Sequence, residues 1–376
     1  MRAVVVAADM ITPYGPGVDA CWEGLLAGRT AVVPVTRFVT GHFHSGVAGI
    51  VPGLAYHGAE SLVMQMLRLL FDRNPDCCPS DAQLILATIK GEIDLLEKSI
   101  LSGSMDAAEC GLDRLLEKVA DLTSVTGEGL VVSSACTSSA AAAARGAAMI
   151  RSGRRDAVLV VACDSVTEFI YSGFSTLMAL DPVPARPFDK GRCGLSVGEA
   201  AAFMLIMSEK RARREKRPVL GELAGWGMSD DANHMTGPSR DSEGLVLAIG
   251  KALRSANVNS GRIGFVSAHG TGTVYNDAME MQAFRKIFTQ RKLPVYSLKG
   301  GIGHTMGAAG LVEMIIALRA LREEIIPPTV NLTTADDDAA GWAAGRSRVP
   351  ESGSMALVTN AGFGGVNTAL VLRSET

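Results

Sequence analysis

Val131-Val-Ser-Ser-Ala-Cys136-Thr-Ser-Ser-Ala-Ala-Ala-Ala-Ala144 is a β-rich run that breaks into small helix-forming residues directly after the cysteine. The pattern predicts a strand that hands over to a helix at Cys136. Unpaired backbone N–H groups and the positive end of the helix dipole would then face the sulfur. Such a position lowers a thiol's pKa from about 8.5 towards neutrality, which makes thiolate available for attack. The surrounding serines and threonines suit a helix cap, and the alanines suit close packing. A buried structural cysteine is the competing reading.

The second half of the chain repeats this rhythm. A strand, Gly-Ile-Gly-His304-Thr and a helix of small residues echo the strand, Ser-Ser-Ala-Cys136-Thr and the alanine-rich helix. Cys136 and His304 therefore take matching stations in two similar halves, and in a pseudo-symmetric α/β sandwich those helix starts face each other. Unbroken apolar runs at Ala157–Cys163 and Ala200–Ser208 read as strands covered on both faces. Residues 2–8, 83–88, 130–133, 220–227, 263–268, 295–298, 355–359 and 368–372 are the other expected strands. Amphipathic helices are expected over Ser61–Asp72, Asp113–Leu122, Ala278–Phe288 and Gly310–Leu321. The basic stretch Glu209–Arg217, read as a solvated face, divides the chain at Pro218. The expected units are an N-terminal half, 1–217, with the thiol and a C-terminal half, 218–376, with His269 and His304.

A chain of 376 residues is long enough for such a duplication, and its net charge of −3 gives no sign of a nucleic-acid surface. Seven cysteines at irregular spacing, with no C-x-x-C pair, suggest neither a disulfide framework nor a metal site. His42-Phe-His44 lies in a glycine-flanked loop with no carboxylate nearby, and no metal is expected there. The apolar N-terminal run is too short for a signal peptide and reads as a first strand. No apolar span approaches about 20 residues. The expectation is a soluble, cytoplasmic protein with no membrane contact.

Three further segments carry unusual chemistry: Ala268-His269-Gly-Thr271-Gly-Thr273, Lys299-Gly-Gly-Ile-Gly-His304-Thr and Asn360-Ala-Gly-Phe363-Gly364-Gly365. Glycines in such turns permit positive φ and close approach of a ligand to the backbone. Taken with Gly17–Thr30, Ala185-Arg-Pro-Phe-Asp-Lys-Gly-Arg192, Gly198-Glu199 and Asp231-Ala-Asn-His-Met-Thr236, they make the chain resemble the β-ketoacyl synthases, condensing enzymes of the thiolase superfamily. The resemblance covers nearly the whole chain and implies a thiolase-like duplicated α-β-α-β-α layered sandwich. It implies a Cys136, His269 and His304 triad, with the backbone N–H groups of Cys136 and Phe363 as an oxyanion hole. An acyl group on Cys136 would condense with malonyl-acyl carrier protein as the malonyl carboxylate leaves, the histidines stabilising the enolate oxygen. Lys299 matches the family's lysine near the triad, and Glu280 the glutamate expected to pair with it. Thr271, Thr273, Phe363 and Gly364 match positions around the phosphopantetheine arm, with Phe363 a gate over the acyl pocket. No tightly bound cofactor and no metal are implied; the carrier's phosphopantetheine arm delivers the substrates. The partners implied are acyl carrier protein and a second ketosynthase-like subunit, in a homodimer or a heterodimer. The strand Ala157–Cys163 is compatible with a place in a buried dimer sheet.

The chain departs from the family most over His44–Thr123, where it is short, and Gly198-Glu199-Ala-Ala-Ala replaces a more glycine-rich pattern. Two other readings stand beside the condensing enzyme. One is a coenzyme A-dependent acyltransferase of the same fold, opposed by Phe363 where thiolases place a second cysteine. The other is a non-catalytic, chain-length-factor-like subunit, opposed by the retained Cys136 and histidines.

Overall fold

Where the sequence runs apolar without alternation, the chain forms interior strands. Ala157–Asp164 and Ala200–Ser208 are buried along their whole lengths because helices cover both of their faces. The computed structural model describes residues 1–103, 110–289, 291–351 and 355–375. Across one continuous sheet the strands succeed one another as Val295–Tyr296, Ile263–Ser267, Met355–Ala361, Val366–Arg373, Gly221–Asp230, Ala3–Thr12, Ala200–Ser208, Ala157–Asp164, Gln83–Ala87 and Leu130–Val132. Gly15–Pro16 pairs onto Ala3–Thr12 at the side.

The sheet is a pairing pattern used twice. From Ala3–Thr12 outward to Leu130–Val132 the junctions run antiparallel, antiparallel, parallel, parallel. From Gly221–Asp230 outward to Val295–Tyr296 they run in the same sequence. The two sets join where Val4 and Val5 pair with Glu222 and Gly221. Helices Ser138–Arg151 and Ala309–Glu323 pack on each other and on strands of both sets, forming the middle layer. Leu62–Asp72 and Leu112–Thr123 cover the outer face of the first set, and Glu243–Ala256 with Val274–Ile287 that of the second. Five layers result, alternating helix and sheet.

Small side chains set how closely the middle helices meet. A Cβ on Gly310 would lie 2.8 Å from Ala140 Cβ and 2.9 Å from Ala140 N. That contact falls near the N-terminal ends of both helices, so it draws the Cys136 turn and the His304 turn together. Glycine has the same use in the outer layer. A Cβ on Gly227 would lie 2.0 Å from Ala248 O and 2.7 Å from Ala252 N, backbone atoms that no rotamer change can move. Gly227→Ala is expected to push helix Glu243–Ala256 off its sheet and lower stability by about 1–3 kcal/mol, the range for overpacking. A thermal unfolding midpoint equal to wild type would refute this.

The strand Ala157–Asp164 is interior, paired on both sides, and the sheet's edge in the first half is Leu130–Val132. Its apolar run records helices on both faces. One expectation needs correction. In the basic stretch, Arg213 and Arg214 are exposed but Arg211 is buried and bonds Asp81 and Glu215. Among the described residues no helix is long and apolar enough to cross a membrane.

Candidate active site

Cys136 sits between strand Leu130–Val132 and helix Ser138–Arg151. The preceding Ala135 has φ 45°, a left-handed conformation unusual for a residue with a side chain, and this sharp turn presents the cysteine. Gly362 comes so close that a Cβ there would lie 3.4 Å from Ala135 Cβ and from Cys136 N. The expected side-chain cap is absent. Thr137 Oγ1 instead donates to Ser134 O (2.6 Å), and Ser138 Oγ accepts from Ser134 N (2.8 Å).

The matching turn of the second half carries His304. Its N–H donates to Ser196 O (2.7 Å), and its carbonyl accepts from Gly198 N (2.9 Å). His304 Nε2 lies 2.9 Å from Cys136 Sγ. The Met306 N–H donates to His304 Nδ1 at 3.3 Å. Since Nδ1 is the acceptor, the neutral ring carries its proton on Nε2, facing the sulfur. The His269 ring stands nearly perpendicular to it, at 89° and 5.1 Å between centroids. His269 follows strand Ile263–Ser267, and its Nδ1 is buried with no hydrogen-bond partner among the described residues.

Glu280 does not pair with Lys299. Its carboxylate accepts the N–H groups of His269 (2.8 Å) and Gly270 (2.6 Å), together with Asn276 Nδ2 and Thr359 Oγ1, and so fixes the His269 turn. Burial pushes Glu280 up to about 7. Lys299, only 2% exposed, bonds Glu313 Oε1 at 2.5 Å and donates to the His269 carbonyl. Glu313 Oε2 in turn accepts from Asn360 Nδ2 at 2.5 Å. Glu313 and Asn360 had no role in the sequence reading. The signal is an acid within the run Ala309–Leu318, otherwise apolar, where an unpaired charge is rarely found.

The electrostatics also differ from expectation. Burial pushes the Cys136 thiol up to about 11, although Lys299 and the backbone N–H groups of Phe363 and Cys136 pull it down. The helix N-terminus is real, but desolvation by burial outweighs it. Burial first, and Lys299 second, hold His269 and His304 well below the usual imidazole range. At rest the site is thus a neutral thiol beside neutral imidazoles.

These groups line one cavity of about 430 Å³, which Phe174, Leu195, Thr271, Thr273 and Phe363 also line. Thr271 Oγ1 and Thr273 Oγ1 are 2.9 Å apart. The Phe363 ring packs 5.9 Å from Phe174, whose ring is 6.5 Å from that of His304. Gly364 is exposed, and its N–H is already donated to Met235 O (2.7 Å), so it offers no donor to the cavity. One ligand atom each of Cys136, His269 and His304 falls within 4.8 Å of the others, a spacing a soft divalent ion could bridge. Burial, and after it the Lys299 ammonium, hold both imidazoles neutral, and that ammonium opposes a cation there.

A thiol and two imidazoles gathered at the seam of a duplicated α-β-α-β-α sandwich define a thiolase-fold condensing site of the Cys-His-His type. Residues 117–212 match the description "Beta-ketoacyl synthase, N-terminal domain", and residues 220–333 match "Beta-ketoacyl synthase, C-terminal domain". The chain belongs to the β-ketoacyl synthase family of condensing acyltransferases. It is 29% identical to 3-oxoacyl-[acyl-carrier-protein] synthase 2 of Vibrio cholerae serotype O1, covering 99% of both proteins. It is 30% identical to the tetracenomycin polyketide synthase ketoacyl synthase alpha subunit of Streptomyces glaucescens, covering 99% of this chain and 96% of that protein. Among solved structures, the ishigamide ketosynthase/chain length factor superposes with a TM-score of 0.88 at 29% identity, covering 100% of this chain and 99% of that one. The Vibrio alignment spans 417 positions against 376 residues here, so that relative carries stretches this chain lacks. The N-terminal family match begins only at residue 117.

Proposed function

We propose that this chain performs a decarboxylative Claisen condensation on carrier-protein thioesters, in fatty-acid or polyketide-type synthesis. The observation that carries the reading is the Cys136–His304 pair at 2.9 Å, with the proton of His304 placed on Nε2 by Met306. In the first step Cys136 Sγ attacks the acyl thioester carbonyl. The C–S bond to the carrier's pantetheine sulfur breaks, and that sulfur leaves with the proton lost by Cys136. The N–H groups of Cys136 and Phe363 hold the oxyanion. In the second step the malonyl thioester loses its carboxylate as carbon dioxide. The enolate oxygen accepts from the imidazoles of His269 and His304, and the enolate carbon attacks the acyl-Cys136 carbonyl. The β-ketoacyl thioester departs on the carrier, and the Cys136 thiolate regains a proton. Neutral imidazoles serve this step as donors.

Thr271 and Thr273 are assigned to the pantetheine arm, Lys299 with Glu313 to fixing His269, and Phe363 to gating the acyl pocket. Phe363 in place of a second cysteine disfavours the coenzyme A-dependent alternative. We read the chain as two halves, 1–217 and 218–376, as the repeated strand pairing supports. The partner reading is a second ketosynthase-fold subunit continuing the sheet at its edge strand Leu130–Val132, with this chain the catalytic member. The retained thiol supports this over a non-catalytic role.

Intact-mass analysis tests the core of it. Wild type given an acyl-carrier donor is expected to gain one acyl group, and Cys136→Ala none. Absence of any adduct on wild type, alone or with a co-expressed homologue, would defeat the catalytic reading.

A further inference from the structure

Asp164 ends the interior strand Ala157–Asp164, is 1% exposed, and has no part in the chemistry above. On its own half it accepts from Thr88 Oγ1 (2.9 Å), Ile89 N (3.1 Å) and Lys90 N (3.2 Å). From the other half it accepts from Gly307 N (2.8 Å). The carboxylate rests directly on that turn, since a Cβ on Gly307 would lie 2.5 Å from Asp164 Oδ2.

The residue before Gly307 is Met306, which has a side chain and yet stands at φ 53°. A left-handed conformation of this kind persists only when its surroundings hold it. Met306 is also the residue whose N–H meets His304 Nδ1. The strained residue is thus held at both ends, by the imidazole before it and the carboxylate after it. Helping the thiolate is not the explanation for a buried acid here, because the Asp164 charge pushes the Cys136 thiol up.

We propose that Asp164 is a positioning residue for His304: by accepting the Gly307 N–H it keeps Met306 in its left-handed turn, keeps the Met306 N–H on Nδ1, and so keeps the proton of His304 on Nε2. Without that clamp the turn relaxes, Nδ1 competes for the proton, and the donor to the enolate oxygen is present only part of the time.

The test compares wild type, Asp164→Ala and Asp164→Asn. The ring-nitrogen resonances of His304 in ¹⁵N-histidine-labelled protein at about pH 8 read the tautomer. Wild type is expected as the Nε2–H form and Asp164→Ala as a mixture. Asp164→Asn still offers an oxygen to Gly307 and is expected to keep the wild-type spectrum. This part is independent of any assumed reaction.

A kinetic arm rests on the condensing-enzyme reading. Carbon dioxide release from malonyl-carrier protein is expected to fall on the order of 10–100-fold in Asp164→Ala, the range for removing a partner that orients a functional imidazole. Acylation of Cys136, followed by intact mass, is expected to persist, and Asp164→Asn to restore most of the release. If Asp164→Ala does not fold, Asp164→Ser, whose shorter side chain leaves Gly307 N–H unmet, takes its place. An Ala or Ser variant that keeps the pure Nε2–H tautomer would overturn the proposal. So would an Asn variant as impaired as Ala. Failure of wild type itself to take an acyl group would instead count against the proposed reaction and leave the tautomer result standing.

Discussion

His304→Ala is expected to abolish most malonyl decarboxylation while the variant still takes an acyl group onto Cys136. The distinction follows from the tautomer. Met306 N–H occupies Nδ1, so the ring faces the sulfur and the cavity as an Nε2–H donor. In the proposed mechanism acyl transfer has the backbone N–H groups of Cys136 and Phe363 to hold its oxyanion, and neither belongs to His304. In the same mechanism the enolate depends on the two imidazoles. Removing one donor to a developing oxyanion costs about 10²–10³ in rate, and a loss of that size is expected here. Carbon dioxide release and intact mass, measured on the same samples, separate the steps. If acylation falls as far as decarboxylation, His304 acts instead as the base that activates the thiol, and the tautomer assignment is wrong.

Glu313→Ala is expected to destabilise the whole fold, by about 3–5 kcal/mol, the range for stripping one partner from a buried ion pair. Lys299 and Glu313 are each 2% exposed, and the variant leaves an ammonium with only the His269 carbonyl to meet it. Urea unfolding measures the loss, and a variant as stable as wild type would show that the pair is not sealed from water. Replacing both charges, as Lys299→Met with Glu313→Leu, should recover most of the stability, because apolar groups of similar volume fill the site without a desolvated charge. Activity should not return, since the His269 carbonyl has lost its donor.

The double variant carries a pH signature as well. Lys299 helps to hold both imidazoles below their usual range. A depressed folded pKa means that their contribution to stability is present above about pH 6.5 and is lost as pH falls below it, where the unfolded chain binds the extra protons. Without the ammonium the imidazoles titrate closer to their ordinary value, and that acid-side loss should shrink. Unfolding free energies on either side of about pH 6.5 test this.

Much of the architecture was legible because it rests on repetition and on side-chain size. The echo between the Cys136 and His304 turns shows in sequence since both precede helices that must pass close together, and only small residues allow it. Ala200–Ser208 is readable to the residue because covering both faces of a strand leaves an apolar run, broken here only at the terminal Ser208. What stayed hidden depended on which surfaces meet. The Cys136 thiol looks activated in sequence because its own strand and helix are adjacent there, whereas the desolvation that pushes it up comes with burial in the folded chain. Glu280 and Glu313 are both buried acids on helices of that half. Nothing in one dimension says that Glu280 turns to two backbone N–H groups while Glu313 reaches Lys299. That Leu130–Val132 rather than Ala157–Asp164 lies at the sheet edge is likewise invisible in sequence, since neighbours in a sheet are not neighbours in the chain.

The seam between the halves also bears on the order in which the protein is made. The Cys136 thiol is synthesised well before His269, His304 and Phe363, which all belong to the second half. A growing chain that has folded only its first set of strands holds a cysteine with no imidazole at its sulfur and no second set above it. Its reactivity is then that of an ordinary thiol at the start of a helix. Condensing chemistry begins only when the later half closes over the earlier one, so the duplicated sandwich acts as an interlock on the newborn chain.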